Sequence, residues 1–301
     1  MPRFNLGLYQ KHFLSTSKVT GPAINIGCTR GRGSTTRMLN YCTKKNSSST
    51  CINQFITIVP VSPPLQNPWS ALGSGTDTDV RSIAIDSNNN IYAGGQFTTA
   101  GGVTVNNIAK WDGTNWSALS SGTSSYVNSI AIDSNDNIYV GGNFTTAGGV
   151  TVNNIAKWNG TIWSDLDGGT DGIVSVITID SNNNIYAGGS FTTAGGVAVN
   201  NIAKLDGTNW SALGSGTSSF VTTLAIDSNN NIYVGGAFET AGGVTVNKIA
   251  KWDGTNWSGL NGGTNSVVYS ITNDSNDNIY VGGAFTSAGG VSTSKIAKYT
   301  I

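Results

Sequence analysis

The sequence predicts an all-β fold assembled from tandem copies of one unit, and three observations lead to that prediction. A tryptophan recurs every 47 positions, at Trp69, Trp116, Trp163, Trp210 and Trp257. The text between these tryptophans is nearly the same in every copy and includes an Ile-Tyr-Ala-Gly-Gly or Ile-Tyr-Val-Gly-Gly segment. No part of the unit has the apolar spacing of a helix, whereas several short parts alternate as strands do. A fixed period of this length is typical of propellers, solenoids and arrays.

The first half of the unit predicts a hairpin. Val80 to Asp86 alternates and is rich in β-branched residues, which favours a first strand. Asp86-Ser87-Asn88-Asn89-Asn90 is a polar turn, because Asn and Asp tolerate left-handed backbone and bond to their own main chain. Ile91-Tyr92-Ala93 continues as a second strand into Gly94-Gly95, and glycines within a strand indicate a close approach or a bulge.

The second half of the unit predicts a loop and a further hairpin. Thr98 to Val105 forms the loop around Gly101-Gly102, and Asn107 to Trp111 is the third strand. Asp112 to Asn115 is a tight turn, after which Trp116 opens a fourth strand that runs through Leu119. Four short antiparallel strands in one period are typical of a β-propeller blade.

The phase of the repeat predicts how five such blades would close. The fifth copy reaches Lys298-Tyr299-Thr300-Ile301 at its third strand, while Trp69-Ser70-Ala71-Leu72 precedes the first copy. We therefore predict a five-bladed β-propeller of four-stranded antiparallel blades, with the Trp69 strand as the outermost strand of the fifth blade. Such a closure covers an open sheet edge. An open superhelical array of the same units is the alternative.

Composition divides the chain into an arm and a repeat domain. Residues 1–67 form a basic, low-complexity arm that ends in a Pro-rich linker, and residues 68–301 form the predicted propeller. The first 68 residues contain eight basic side chains and no acid, so the rest of the chain carries the other eight basic residues and all 16 acids. Such a split is typical of an interaction tail. Residues 52–59 predict a strand, and the rest of the arm is expected to be disordered.

Three interpretations of the arm compete. It is basic, Ser-rich and free of acids, as transit peptides are. It could bind nucleic acid, but its charges are dispersed and lack an aromatic platform. We favour the third, an arm that anchors the chain in a larger protein assembly such as a capsid, which makes a virion surface protein the leading hypothesis. We expect no membrane span, because no apolar run is long enough, and no secretory signal, because polar residues interrupt the first residues.

The repeat resembles a kelch-type motif, in which a Gly-Gly pair after a strand is followed by an aromatic residue and then a tryptophan. The pairs are Gly94-Gly95, Gly141-Gly142, Gly188-Gly189, Gly235-Gly236 and Gly282-Gly283. The aromatic position holds Trp111, Trp158, Trp252 and Tyr299, and Leu205 departs from the pattern. The unit is similar to repeats in extracellular and viral propellers, and its architecture resembles that of five-bladed tachylectin-type lectins. This resemblance implies a fold and a binding habit, but no reaction.

Residues with catalytic or metal-binding chemistry are scarce. His12 is the only histidine and lies in the arm, so we predict no histidine-based catalysis and no enzyme activity. The Asp86 to Asn90 segment superficially resembles a calcium loop, but Ile91 and Phe97 occupy the positions of its glycine and its bidentate glutamate. We interpret the segment as a turn and predict no metal and no cofactor. The tyrosines that recur from Tyr92 to Tyr280 are expected to pack between blades.

The best functional signal lies where the copies differ. The segment that leads into the first strand varies, whereas almost everything else is repeated. Its candidate ligand-binding residues are Asp77, Asp79, Arg81, Tyr126, Asn128, Asp171, Phe220 and Tyr269. Binding residues usually lie on loops of a rigid scaffold, so we predict a non-catalytic module that recognises a protein or a glycan through this face. A lectin with repeated sites and an intracellular kelch-like adaptor with a transit peptide are the alternatives, and neutral drift of a surface loop would also explain the variation.

Overall fold

A computed structural model describes residues 35–45, 48–58 and 68–301 of the chain. The chain divides into two units, one that ends at Trp69 and one that begins at Ser70. The predicted anchoring function of the arm and most of its predicted disorder fall outside the described residues, as does the linker up to residue 67.

The first unit contains an antiparallel hairpin. Thr35–Lys45 pairs with Ser48–Ile58 along its whole length, from Thr35 opposite Ile58 to Lys45 opposite Ser48. The predicted strand over residues 52–59 is confirmed for 52–58. The strand Thr35–Lys45 corrects the expectation of disorder for that segment, because a segment gains a hydrogen-bond ladder when it pairs with a partner strand.

The second unit consists of five repeated antiparallel sheets, here numbered first to fifth along the chain. Their first strands are Val80–Ile85, Val127–Ile132, Ile173–Ile179, Val221–Ile226 and Val268–Asn273. Their second strands are Ile91–Gly95, Ile138–Gly142, Ile185–Ser190, Ile232–Gly236 and Ile279–Gly283. Their third strands are Ile108–Trp111, Ile155–Trp158, Ile202–Leu205, Ile249–Trp252 and Ile296–Tyr299. Four sheets have a fourth strand, formed by Trp116–Ala118, Trp163–Ser164, Trp210–Ala212 and Trp257–Gly259.

The strand prediction for the unit is confirmed, with one addition inside the predicted loop. A two-residue hairpin forms there because the glycine pair at its tip adopts left-handed backbone. The hairpins pair Thr99–Ala100 with Val103–Thr104, Thr146–Ala147 with Val150–Thr151, Thr193–Ala194 with Val197–Ala198, Thr240–Ala241 with Val244–Thr245 and Ser287–Ala288 with Val291–Ser292. No helix is present in the residues that the structure describes.

The Gly-Gly pairs allow consecutive sheets to pack closely, as their place in the strand predicts. A Cβ on Gly94 would lie 2.5 Å from Cγ1 of Val127, in the first strand of the next sheet. A Cβ on Gly95 would lie 2.0 Å from the Asp79 carbonyl oxygen, beside a bulge between Val80 and Ser82. The hydrophobic clusters lie at these junctions, and the first three junctions bury Val127, Val174 and Val221 completely.

The repeated tryptophans fasten the loops between sheets. Trp163 is 4% exposed, and its Nε1 donates a hydrogen bond of 2.9 Å to the Leu119 carbonyl oxygen. Equivalent bonds join Trp116 to Leu72, Trp210 to Leu166 and Trp257 to Leu213. Where the third strand also ends in tryptophan, the two indoles pack at a tilt, with ring centroids 5.3 to 5.5 Å apart.

The predicted closure of the ring is not confirmed. The fifth sheet has three strands, and Trp69 is 86% exposed and lies in no strand. Val80 is 39% exposed in the first sheet, whereas its four equivalents are fully buried by the preceding sheet. In the described part of the chain, the first and fifth sheets therefore do not pack against each other.

A pair of adjacent glycines tests how tightly the tryptophan packs. Gly148 has φ +58° and a Cβ there would lie 2.2 Å from Trp163 Cδ1, whereas Gly149 has φ +83° and nothing within 4 Å. We expect Gly149→Ala to lower the free energy of unfolding by roughly 1–2 kcal/mol, the cost of left-handed backbone. Gly148→Ala should lose about 1–3 kcal/mol more, from overpacking. Urea denaturation measures both variants, and equal losses would show that the indole contact is loose.

Candidate functional site

The variable segments and the small hairpins lie at the same end of the sheets. Thr76 forms a β-bridge with Ala100, and the same bridge recurs in every copy at Thr123–Ala147, Thr170–Ala194, Thr217–Ala241 and Thr264–Ala288. The Asp86 turn and the Asp112 turn lie at the opposite end, because consecutive strands are antiparallel. The variable segments are thus gathered at one end of the sheets.

An open cleft of about 790 Å³ lies at this end, at the junction of the first two sheets. Its walls come from two variable segments and from the chain that follows the first Gly-Gly pair. The lining residues are Asp77, Thr78, Asp79, Gln96, Phe97, Thr98, Asn107, Ser124, Ser125 and Tyr126. The two variable segments therefore meet in space although they are 47 positions apart in sequence.

Arg81 joins the two variable segments beside this cleft. Its guanidinium carbon lies 4.5 Å from the centre of the Tyr126 ring, within the range of a cation–π contact. Arg81 Nη1 donates to Asn128 Oδ1 at 2.8 Å and Nη2 donates to Gln96 Oε1 at 3.4 Å. The Tyr126 hydroxyl oxygen in turn accepts a hydrogen bond of 3.2 Å from Asn143 Nδ2. An arginine carries five N–H donors. The bonds to Asn128 and Gln96 therefore fix the guanidinium and leave further donors for a ligand.

Asp77 stabilises the loop. Its carboxylate accepts hydrogen bonds from the Thr98 hydroxyl at 2.6 Å, the Thr98 backbone N–H at 2.9 Å and the Thr99 N–H at 3.1 Å. The bond from the Thr98 hydroxyl is the main cause that lowers the pKa of Asp77 to about 2. The carboxylate is therefore ionised at neutral pH and places a fixed negative charge at the wall of the cleft.

The same position holds the loop in every copy, although its residue changes. Asp171 accepts equivalent bonds from Thr192 and Thr193. Burial acts to raise the pKa of Asp171, but these hydrogen bonds outweigh it and leave the pKa below its usual value. Ser124, Ser218 and Asn265 accept the corresponding N–H bonds in the other copies. Asp77 and Asp171 thus have a structural function that sequence analysis did not separate from binding.

The structure brings together five of the eight candidate residues. Asp77, Asp79, Arg81, Tyr126 and Asn128 lie in or beside the cleft. The other three occupy equivalent positions in later copies. Asp171 is in the loop before the third sheet, Phe220 is 43% exposed before the fourth, and Tyr269 is 60% exposed in the first strand of the fifth.

Sequence analysis missed Gln96 and Asn143, which bond to Arg81 and Tyr126 respectively. Both follow a Gly-Gly pair directly, and this position reads Gln96, Asn143, Ser190, Ala237 and Ala284 along the copies. Its variation is the signal that could have identified it, because the neighbouring positions hardly change.

At the opposite end, the Asp86 carboxylate is fully engaged within its own turn. It accepts bonds from the backbone N–H groups of Asn88 and Asn90, from Asn90 Nδ2 at 2.7 Å and from the Tyr92 hydroxyl at 3.2 Å. Asn89 adopts φ 63°, the left-handed backbone expected of such a turn. These contacts support the turn interpretation over the calcium loop. In the described residues, no group of three or more His, Cys, Asp or Glu side chains could hold a metal ion.

The tyrosine that bonds to this aspartate is part of the junction between sheets. Tyr92, Tyr139, Tyr186 and Tyr233 are each at most 5% exposed and belong to the hydrophobic clusters, in agreement with the packing prediction. Burial raises the pKa of Tyr92 to about 12, and the negative charge of Asp86 adds to the effect. The pKa values of the other three are raised by the same causes.

Comparison with known families identifies the repeat. Residues 116–143 match the "Beta-propeller repeat" family, and residues 134–159, 181–211 and 275–300 match the "Domain of unknown function (DUF5122) beta-propeller" family. These segments of the chain are therefore similar to β-propeller repeats. Neither description mentions kelch or lectin, so those resemblances stay predictions. No curated protein matches the chain.

The solved structures that match the chain are distant in sequence. One is YCF48 bound to D1 peptide, with 15% identity and a TM-score of 0.46, over 72% of this chain and 64% of that one. Another is the extracellular domain of the putative one component system BT4673 from B. thetaiotaomicron, with 12% identity and a TM-score of 0.45. That match covers 86% of this chain and 31% of the other. This chain thus spans less than two thirds of the length of either.

Among the described residues, no helix has the length and the hydropathy needed to span a lipid bilayer.

The buried tyrosines predict a loss of stability at high pH. A tyrosine in the unfolded chain titrates near pH 10, whereas Tyr92 in the fold titrates at about 12. Between these values the unfolded chain releases a proton that the folded chain keeps, so the free energy of unfolding falls as pH rises. Tyr92→Phe should flatten this decline, because it removes one titrating group. Thermal melting from pH 8 to 12 tests it, and an unchanged slope in the variant would contradict the assignment.

Proposed function

We propose that the protein is a non-catalytic recognition module that binds a protein segment in the cleft between its first two sheets. The observation that carries this proposal is the convergence of variable residues. Arg81, Tyr126, Asn128 and Gln96 differ from their equivalents in the other copies, and Arg81 contacts each of the other three directly. Drift alone does not require that changes in separate copies meet at one place.

The chemistry of the cleft suits an extended polar peptide. A volume of about 790 Å³ lies within the roughly 300–1,000 Å³ typical of ligand sites. Asp77 and the exposed Asp79 supply carboxylates for a basic side chain, while Arg81 and Asn128 supply groups that bond to peptide carbonyls and amides. The exposed part of the Tyr126 ring supplies apolar contact area.

The walls of the cleft are held rigidly, which favours specific binding of a ligand over adventitious contact. Asp77 fastens the variable segment to the small hairpin, and Asn128 Nδ2 donates to the Val174 carbonyl oxygen of the third sheet at 3.1 Å. A site that is ordered before binding loses less conformational entropy when a ligand binds.

We propose that the arm anchors the chain while the repeats bind a ligand. Eight basic side chains without an acid in residues 1–68 suit docking on an acidic surface of a larger assembly. A virion with an acidic capsid surface is the assembly that we favour, with the repeats displayed outward.

The cleft proposal predicts that binding depends on Arg81 and Tyr126. A displayed peptide library selected on the full chain should yield ligands whose affinity falls about tenfold or more in Arg81→Ala and in Tyr126→Ala, as for truncation of an interface hot spot. Isothermal titration of the selected peptides measures the loss. Thr114→Ala, in an exposed turn at the opposite end of the first sheet, is the matched control and should leave affinity unchanged.

Equal affinity in all three variants would refute the cleft as the site. A glycan array probed with the same proteins distinguishes the lectin alternative. Glycan binding that is lost in Tyr126→Ala, together with a selection that yields no peptide, would replace the protein ligand by a sugar.

The anchor proposal predicts that deletion of residues 1–60 abolishes incorporation into the particle of the native source while the repeats stay folded. Sedimentation of particles followed by detection of the chain measures incorporation, and circular dichroism of the truncated chain verifies folding. Retained incorporation would reject the arm as an anchor.

A further inference from the structure

The outer faces of the first and fifth sheets are the two halves of one interface. Between consecutive sheets the chain makes the same junction four times. In the structure the first sheet presents one half of this junction to solvent and the fifth sheet presents the other. We propose that a second copy of this chain docks head to tail across these two faces, in the register of the internal junctions.

Burial shows what each face is built to contact. Ile83 of the first sheet is 64% exposed, whereas its equivalents Ile130, Ile177, Leu224 and Ile271 are 5–8% exposed beneath the preceding sheet. Ile296 of the fifth sheet is 66% exposed, whereas Ile108, Ile155, Ile202 and Ile249 are 0–3% exposed beneath the following elements. The outermost units of repeat domains are normally capped by polar faces, and these two faces are apolar instead.

The polar contacts of the junction also have their partners on the two open faces. Ser82 Oγ accepts a bond of 2.9 Å from the Ile130 N–H of the next sheet, and Ser129 and Thr223 repeat this contact. The equivalent acceptor on the fifth sheet is Ser270, which is exposed, and its donor would be the N–H of Ile83.

A second polar pair extends the match to the opposite end of the sheets. Ser134 bonds to Asn183 of the next sheet at 3.2 Å, and Ser181 bonds to Asn230 at 3.1 Å. The equivalents on the open faces are Ser275 and Asn89, which offer the same serine and the same asparagine. The interface therefore has matching residues at its centre and at its edge.

Space for the second copy exists at the glycine pair. A Cβ on Gly141 would lie 2.4 Å from Val174 of the next sheet, and Gly94, Gly188 and Gly235 are equally close to Val127, Val221 and Val268. A Cβ on Gly282 would have only the Lys295 carbonyl oxygen within 4 Å. Val80 of a second copy would occupy this space.

The fifth sheet also contains an empty cavity of about 160 Å³ beside its third strand, lined by Leu260, Gly289 and Tyr299 among others. In the other sheets the equivalent glycine contacts an indole, as Gly242 contacts Trp257. This cavity adds to the space that the fifth sheet leaves open to a second copy.

The contact joins different faces, so it is heterologous and repeats until a ring closes. Complementary variants isolate one such contact. Ile83→Asp disables the face of the first sheet, and Gly282→Val fills the space on the fifth sheet that Val80 would occupy. Ile162 is 60% exposed in a turn away from both faces, so Ile162→Asp is the matched control.

Light scattering after size exclusion tests the proposal with the full chain over a wide range of concentration. We expect the wild type and Ile162→Asp to form assemblies of at least twice the 31.1 kDa mass of one chain. Ile83→Asp and Gly282→Val should each be monomeric, and their equimolar mixture should form a dimer and nothing larger, since only one functional pair of faces remains.

A monomeric wild type at every concentration would overturn the proposal. In that case the melting temperature of Gly282→Val shows whether the two faces contact each other within one chain. A lower value than wild type would mean that the two faces close on each other within one chain, and an unchanged value would mean that they stay in solvent. Assemblies of Gly282→Val that match the wild type in mass would overturn it as well.

Discussion

The close contact between consecutive sheets is the constraint on which the rest of the domain depends. A short sheet buries one face easily, but here the three middle sheets must bury both, and the glycine pair in the second strand makes this possible. Gly94, Gly141, Gly188 and Gly235 each accept a valine of the next sheet at distances that no side chain would allow. The exposure of Val80 and Ile83 shows the consequence, because the same residue types are exposed wherever the neighbouring sheet is missing.

Tight junctions leave the loop ends of the sheets as the part of the molecule that can vary. The hydrogen bonds that hold each loop form whether the position is occupied by Asp77, Ser124 or Asn265. All three side chains accept hydrogen bonds from the equivalent backbone N–H groups of their own copy. A scaffold with this tolerance can change the residues in its cleft without loss of fold. Recognition and stability are thus carried by different residues within one repeat.

A feature of the fold could be predicted when it depends on residues that are close together in the sequence. The Asp86 turn and the four strands were both predicted, because turn chemistry and alternation act over a few residues. Closure by the Trp69 segment was not found, since it depends on the angle between successive sheets, for which no local residue pattern exists. Gln96 was missed for a related reason, as its importance comes from a neighbour 15 positions away.

The sequence by itself determined the repeat, the strand order within each sheet and the end of the sheets at which variation accumulates. These properties follow from the 47-residue period, because identical text must fold identically in successive units. Only the tertiary structure decided that Arg81 and Tyr126 meet across a junction and that the outer faces of the first and fifth sheets remain open. Both outcomes depend on how one sheet is rotated against the next, and small differences in that rotation accumulate over five units.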